Sequence, residues 1–145
     1  MKYIAYTLLI FSFIASFFFS KALACSCSEI TAAEMLNSEF NEYIFIGTVT
    51  SAKLMKHKGV YSYINADVNV EERFKGAASD RNFTVHTSLF SASCGGSISV
   101  GERYIFVTAE KGFFNFCTSM SIAPHNLDNR TRVYIEDFRA HTTLK

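Results

Sequence analysis

Four cysteines, Cys25, Cys27, Cys94 and Cys117, carry the most specific chemistry in this chain. The first two are separated by Ser26 and directly follow the small-residue stretch Ala22-Leu23-Ala24, whereas the other two lie far downstream. Metal ligation is the first use to weigh. The C-x-C spacing lacks the two intervening residues of common structural zinc knuckles, and His57, His86, His125 and His141 are scattered without ligand or triad spacing. No cofactor or metal of the chain's own is therefore expected. An even number of cysteines in a small exported domain reads instead as a disulfide framework.

Three pairings are open to four cysteines. Joining Cys25 to Cys27 would close a very small, strained ring, and extended residues two apart hold their side chains roughly parallel. Both remaining pairings tie the first residues of the domain to distant segments. Each such loop would contribute on the order of 4 kcal/mol by restricting the unfolded chain. The start of the domain is then expected to be rigid, unlike most chain termini.

Other candidate chemistry is weaker. Glu71 and Glu72 are neighbouring carboxylates, but adjacent residues on a strand face opposite ways, which argues against acid/base work. Phe113, Phe114 and Phe116, on a strand this rich in phenylalanine, are expected in the core, with an exposed binding patch as the alternative. Asn82-Phe83-Thr84 and Asn129-Arg130-Thr131 are glycosylation sequons, meaningful only in a eukaryotic host. With no nucleophile motif and no phosphate loop, an enzyme is not expected.

Export is read from the start of the chain. Lys2 precedes an almost uninterrupted apolar run from Ile4 to Phe19, followed by Ser20-Lys21 and Ala22-Leu23-Ala24. That order is a secretory signal peptide, and the run is shorter than the roughly 20 residues of a membrane-spanning helix. Residues 1–24 are thus read as a leader cleaved after Ala24, and residues 25–145 as one domain of 121 residues (145 − 24). Loss of Lys2 and Lys21 takes the formal charge from +1 to −1. No strongly basic surface for nucleic acid or anionic lipid is implied. The expected location is secreted and extracellular, or periplasmic in a Gram-negative bacterium. There a cysteine directly after the cleavage site can also carry a lipid anchor, although Ala22 stands where leucine is usual.

The elements that must position the cysteines follow from periodicity. Thr31-Ala-Ala-Glu34 has the form of a capping box, and Ala33, Met35, Leu36 and Phe40 give a loose apolar stripe, so a helix is predicted from Thr31 to Phe40. Tyr43 to Leu54 is rich in β-branched and aromatic residues, with Gly47 marking a bend or bulge, and Lys53 to Gly59 reads as a polar turn. Ile64, Ala66, Val68 and Val70 then alternate with Asn65, Asp67, Asn69 and Glu71, a strand with one wet face. Further strands are predicted at Phe83-Val85, at Tyr104 to Ala109, and, after a Lys111-Gly112 hairpin turn, at Phe113 to Ile122. A final helix is predicted from Asn126 to Ala140, with Leu127, Tyr134, Ile135 and Phe138 near one face. The expected fold is mainly β. Five strands with a helix at each end and two disulfides most economically form a closed or nearly closed barrel, with an open sandwich as the alternative.

The ordered set Cys25-Ser26-Cys27-Ser28, Arg73-Phe74-Lys75-Gly76, Ser93-Cys94-Gly95, Val100-Gly101 before Tyr104-Ile105, and Cys117 resembles the netrin-like domains. Within them it is most similar to the inhibitory N-terminal domain of the tissue inhibitors of metalloproteinases. The resemblance runs along nearly the whole mature chain. It implies a five-stranded oligonucleotide/oligosaccharide-binding-type (OB-type) barrel with bridges Cys25–Cys94 and Cys27–Cys117. The further bridges and second cysteine-rich domain of the animal inhibitors are missing.

The resemblance also implies a function. In those inhibitors the first cysteine enters the protease cleft, and its free α-amino group and carbonyl oxygen chelate the catalytic zinc. A catalytic zinc keeps an open position, and an amine with its own carbonyl closes a five-membered ring on it. A terminal amine titrates at about 7.7 to 8.0, so little free energy is needed to make it a ligand at neutral pH. Here Cys25 would touch the zinc of a target protease, Ser26 would point to its main specificity pocket, and Cys27 and Ser28 would continue along the cleft. Ser93, Cys94 and Gly95 would form a second edge of the contact. The expected partner is a zinc metalloproteinase; the alternative is a non-inhibitory extracellular module binding another protein or a glycan, with the bridges as a staple. Nucleic acid is not expected, nor a membrane unless Cys25 is lipidated, which would consume both thiol and amine.

Overall fold

The structure, a computed structural model, describes residues 25–58, 60–76, 81–89, 94–122 and 129–143. The leader expected at residues 1–24 lies outside them, as do Ser93, His125 and Leu127.

A long antiparallel hairpin forms the backbone of the fold: β1 (Tyr43–His57) pairs with β2 (Val60–Lys75). The period-2 pattern of β2 is realised, with Ala66 and Val68 buried and Asp67 and Asn69 exposed. The hairpin outruns its apolar pattern. Pairing continues through the polar stretch as Lys53↔Asn65 and Met55↔Tyr63, since ladder bonds use the backbone while the side chains reach water. The turn is accordingly tighter than the expected Lys53 to Gly59 segment, with Lys58 in the left-handed region at φ 50°. Register shifts between Ile44 and Phe45, Ile46 and Gly47, Val49 and Ser51, and Met55 and Lys56 mark bulges in the ladder. Bulges bend and twist a strand. At Gly47 a Cβ would lie 2.5 Å from Val68 Cγ1 and 2.7 Å from the Asn69 carbonyl oxygen, so only glycine admits this approach of β1 to β2.

Three shorter strands complete the sheet: β3 (Asn82–Ser88), β4 (Arg103–Thr108) and β5 (Ser119–Ser121). The order is β3-β2-β1-β4-β5, and every neighbouring pair is antiparallel. The described strands do not close into a barrel ladder. The sheet curls far enough for His86 on β3 to make an isolated parallel bridge with Phe113, with the Phe114 N–H donating to the His86 carbonyl at 3.0 Å.

The strand predicted from Phe113 to Ile122 is the main departure. Before it, Glu110–Gly112 forms a 3-10 turn in which Lys111 sits at φ 59° and Gly112 at φ 80°. Asn115 then breaks the extended chain. Its side-chain oxygen accepts from the Cys117 N–H at 2.9 Å, and its carbonyl accepts from the Thr118 N–H at 3.0 Å. An asparagine side chain that bonds the backbone two residues on offers an alternative to the ladder. Only Ser119–Ser121 therefore pairs with β4, and Cys117 lies in a turn, not a strand.

Two helices cover one face. α1 (Ala32–Asn37) begins at the Thr31 capping box, in which the Thr31 N–H donates to Glu34 Oε2 at 2.8 Å and the Glu34 N–H to Thr31 Oγ1 at 3.2 Å. It stops at Ser38, before the predicted end, and leaves Phe40 86% exposed. α2 (Asn129–Thr142) lays Phe138 on Phe74 of β2, ring centroids 5.1 Å apart, and its Arg139 holds Glu72 through two bonds of 2.8 and 2.7 Å. The expected members Tyr134, Ile135 and Phe138 do share the packed face.

Both faces of the central strands are buried. Ile44, Ile46, Ile105 and Val107 point to the helices, while Phe45, Val49, Tyr104 and Phe106 join Val68, Val85 and Phe114 inside the curl of the sheet. This explains why β4 is an unbroken apolar run instead of an alternating one.

Candidate functional site

Residues 25–30 have no regular structure, yet they are fastened along their length. Cys25 is bonded to Cys94 and Cys27 to Cys117, with Cα atoms 5.7 and 5.4 Å apart, and this is the pairing that the resemblance implies. Further along, the Tyr134 hydroxyl of α2 donates to the Ile30 carbonyl at 2.7 Å, and Thr31 caps α1. No ladder restrains this segment. Two cystines, a hydrogen bond and a helix cap take its place.

The two cystine anchors belong to one platform. The Phe116 N–H donates to the Cys94 carbonyl at 2.8 Å, and Gly95 bridges Asn115 in antiparallel fashion. The platform is seated in the core through its neighbours. Gly96 N–H donates to the hydroxyl of fully buried Thr87 at 2.7 Å, and Phe114 packs edge-on against Phe106, centroids 5.3 Å apart. A Cβ on Gly96 would collide with the Phe114 ring. Cys94 itself adopts φ 54°, a region disfavoured for a residue with a side chain; its disulfide and the bond from Phe116 hold it there.

What these anchors present is a ridge. Cys25 is half-buried, whereas Ser26, Cys27 and Ser28 are exposed. Residues 25–28 bring no charged side chain. Beside the ridge runs a cleft of about 560 Å³, lined among others by Ser28, Ile30, Phe116, Met120 and Tyr134. A segment both exposed and pre-ordered loses little conformational freedom when a partner takes it up.

Of the residues expected here, Cys25, Ser26, Cys27, Ser28, Cys94 and Gly95 are brought together by the bridges and the platform. Ser93 lies outside the described residues. The phenylalanines divide in a way the sequence did not disclose. Phe114 is buried, Phe113 is 36% exposed and Phe116 is 57% exposed. Alternation would place Phe114 and Phe116 on the same side of a strand, but the turn at Asn115 removes the strand and turns Phe116 outward. The asparagine two residues before Cys117 was the available signal. Tyr134 was assigned to packing, and its hydroxyl also fastens Ile30.

The remaining polar candidates serve the scaffold. Glu71 accepts from Arg103 Nε at 2.6 Å and from Thr48 Oγ1 at 2.6 Å, while Glu72 belongs to Arg139. The two carboxylates share no site. The Arg139 guanidinium holds the Glu72 carboxyl below its ordinary 4.5. Burial pushes the His86 imidazole below 6.5, and its ring lies 5.5 Å from that of Phe113. His141 sits in the last turn of α2 and His57 at the end of β1. Among the described residues no three of His, Cys, Asp or Glu converge as a metal site, and no helix is long and apolar enough to cross a membrane.

In comparisons with known proteins, no protein-family model matches the chain and no curated protein matches it significantly. Function must be read from the site itself.

Proposed function

We propose that the mature protein is an exported inhibitor of zinc metalloproteinases that acts through the amine and carbonyl of Cys25. The observation that supports this most is the state of residues 25–28: exposed from Ser26 to Ser28 with Cys25 half-buried, bridged at two of four positions to one hydrogen-bonded platform, and followed by a third anchor at Ile30. A ligand that must enter a deep cleft gains from such pre-ordering. In this reading the amine released by cleavage after Ala24 and the Cys25 carbonyl take the open position of the target's zinc. Ser26 enters the adjoining pocket, and the Cys94-Gly95 edge packs alongside. The curled five-stranded sheet is read as an OB-type barrel of netrin-like form, in which β3 reaches the segment between β4 and β5 through the isolated His86–Phe113 bridge.

The test compares two proteins, one beginning at Cys25 and one carrying a single extra alanine before it. The extension displaces the amine by one residue and leaves the bridges untouched. Inhibition of a panel of zinc metalloproteinases should be lost on extension while the unfolding midpoint stays unchanged. Equal potency of the two proteins would remove the zinc-chelating role of Cys25. A partner retained by the extended protein would instead identify a non-inhibitory binding module.

A further inference from the structure

On the side of β2 and β3 turned away from Val68 and Val85, the ladder sets polar residues in rows. Ser51, Asp67 and Thr84 form one row across β1, β2 and β3, and Lys53, Asn65 and His86 form the next. Tyr63, two residues before Asn65 on β2, shares that face. The first row is satisfied: the Asp67 carboxylate accepts from Ser51 Oγ at 2.7 Å and from Thr84 Oγ1 at 3.0 Å. The second differs. Tyr63, Asn65 and His86 are half-buried around a recess of about 420 Å³, a volume typical of small-ligand sites. Among the described residues, no group exchanges a hydrogen bond with the Tyr63 hydroxyl, the Asn65 carboxamide or the His86 ring nitrogens. Their backbones are nonetheless fixed. Asn65 and His86 are ladder partners, the His86 carbonyl accepts from the Phe114 N–H, and the His86 ring rests 5.5 Å from that of Phe113.

The chemistry of these three side chains selects a ligand. A phenol, a primary amide and a neutral imidazole each donate and accept hydrogen bonds, and none carries a charge. Burial keeps the His86 imidazole below 6.5, so it is neutral at pH 7. A phosphate or sulfate would call for cations, and the Lys53 of this row already acts on the Asp67 carboxyl, helping to lower it. A sugar hydroxyl, by contrast, is itself both donor and acceptor, and the C–H face of a pyranose packs on an aromatic ring such as Tyr63.

We propose that the recess on β2 and β3 is a carbohydrate site that takes a neutral pyranose unit of a glycan, with Tyr63 as the stacking platform and Asn65 and His86 as partners of its hydroxyls. Among the described residues it shares none with the cleft beside residues 25–28. It therefore stands whether or not those residues engage a protease. Its effect would be to hold the protein on a polysaccharide surface while the ridge stays exposed.

The experiment titrates the full mature chain with neutral trisaccharides of glucose, mannose, galactose and N-acetylglucosamine, and with sulfated and uronic-acid oligosaccharides, up to about 10 mM while amide NMR shifts are followed. At least one neutral trisaccharide should bind and move the Asn65 carboxamide and the backbone amides of Tyr63 and His86. Tyr63→Ala should weaken that binding by about tenfold or more, and Tyr63→Phe, which keeps the ring, by less. Asn65→Asp keeps the shape but removes the amide donors, and should weaken binding as well. Unfolding midpoints report on the fold of each variant, and the shift map of the wild-type chain needs no variant at all. The protein with an extra alanine before Cys25 should bind the sugar as tightly as the mature chain, so this site and the role of Cys25 fail or stand separately. No neutral trisaccharide bound at the highest concentration, binding confined to the acidic oligosaccharides, or shifts that leave Tyr63, Asn65 and His86 unmoved would each overturn the proposal.

Discussion

Gly96 and Thr87 lie at the junction between the buried core and the exposed ridge. The buried Thr87 hydroxyl receives the Gly96 N–H, and the lack of a side chain at Gly96 lets the Phe114 ring pack against its backbone. Gly96→Ala should therefore cost about 1–3 kcal/mol, because a Cβ forces a packed ring to move. Equilibrium denaturation would measure it. A cost near zero would mean that the Phe114 ring gives way freely. The side chains that sequence reading placed best were those defined by their own chemistry, the cysteines and the Thr31–Glu34 cap. Phe116 was misplaced because burial of one ring in a cluster of three depends on a turn that its neighbour Asn115 nucleates.

At the scale of elements, α2 is docked by apolar stacking of Phe138 on Phe74 and by the Arg139–Glu72 pair. Arg139 and Glu72 keep side-chain exposures of 56% and 32%, so the pair is worth about 1 kcal/mol or less. Its pH dependence has a definite sign. The Glu72 carboxyl titrates lower in the folded protein than in the unfolded chain, so its contribution is full above 4.5 and disappears as pH falls through the folded value. Glu72→Gln should thus be less stable than wild type at neutral pH, and the gap should close in acid. Denaturant midpoints for both proteins between pH 7 and pH 3 would test this; a gap that persists at pH 3 would show that the carboxylate's charge is not what matters. The existence of both helices was legible from caps and apolar spacing, but their ends were not. α1 stops early because Phe40 has no core to meet.

Across the whole molecule, the bridges close loops with sequence separations of 69 and 90 residues. A Cys27→Ser/Cys117→Ser double variant should lose about 4–5 kcal/mol, a large share of the stability of a domain this size. It should also free residues 26–28 from the platform. Thermal or denaturant unfolding gives the first effect and amide exchange at Ser26 and Ser28 the second. Slow exchange in the double variant would mean that the Tyr134–Ile30 bond and the remaining bridge suffice to order the ridge. Two disulfides are compatible with an extracellular protein.

The order of strands and helices, the even set of cysteines and the capping box were all readable from residue types and periods, because each depends on neighbours close in the chain. How far the sheet curls, where Cys117 turns, and that Phe116 faces outward were decided only by tertiary structure. Those features arise where His86 meets Phe113 and Cys94 meets Phe116, contacts between segments that local propensity cannot connect. An apolar run shows that a strand is buried on both faces; it carries no information about which distant ring will fill the other side.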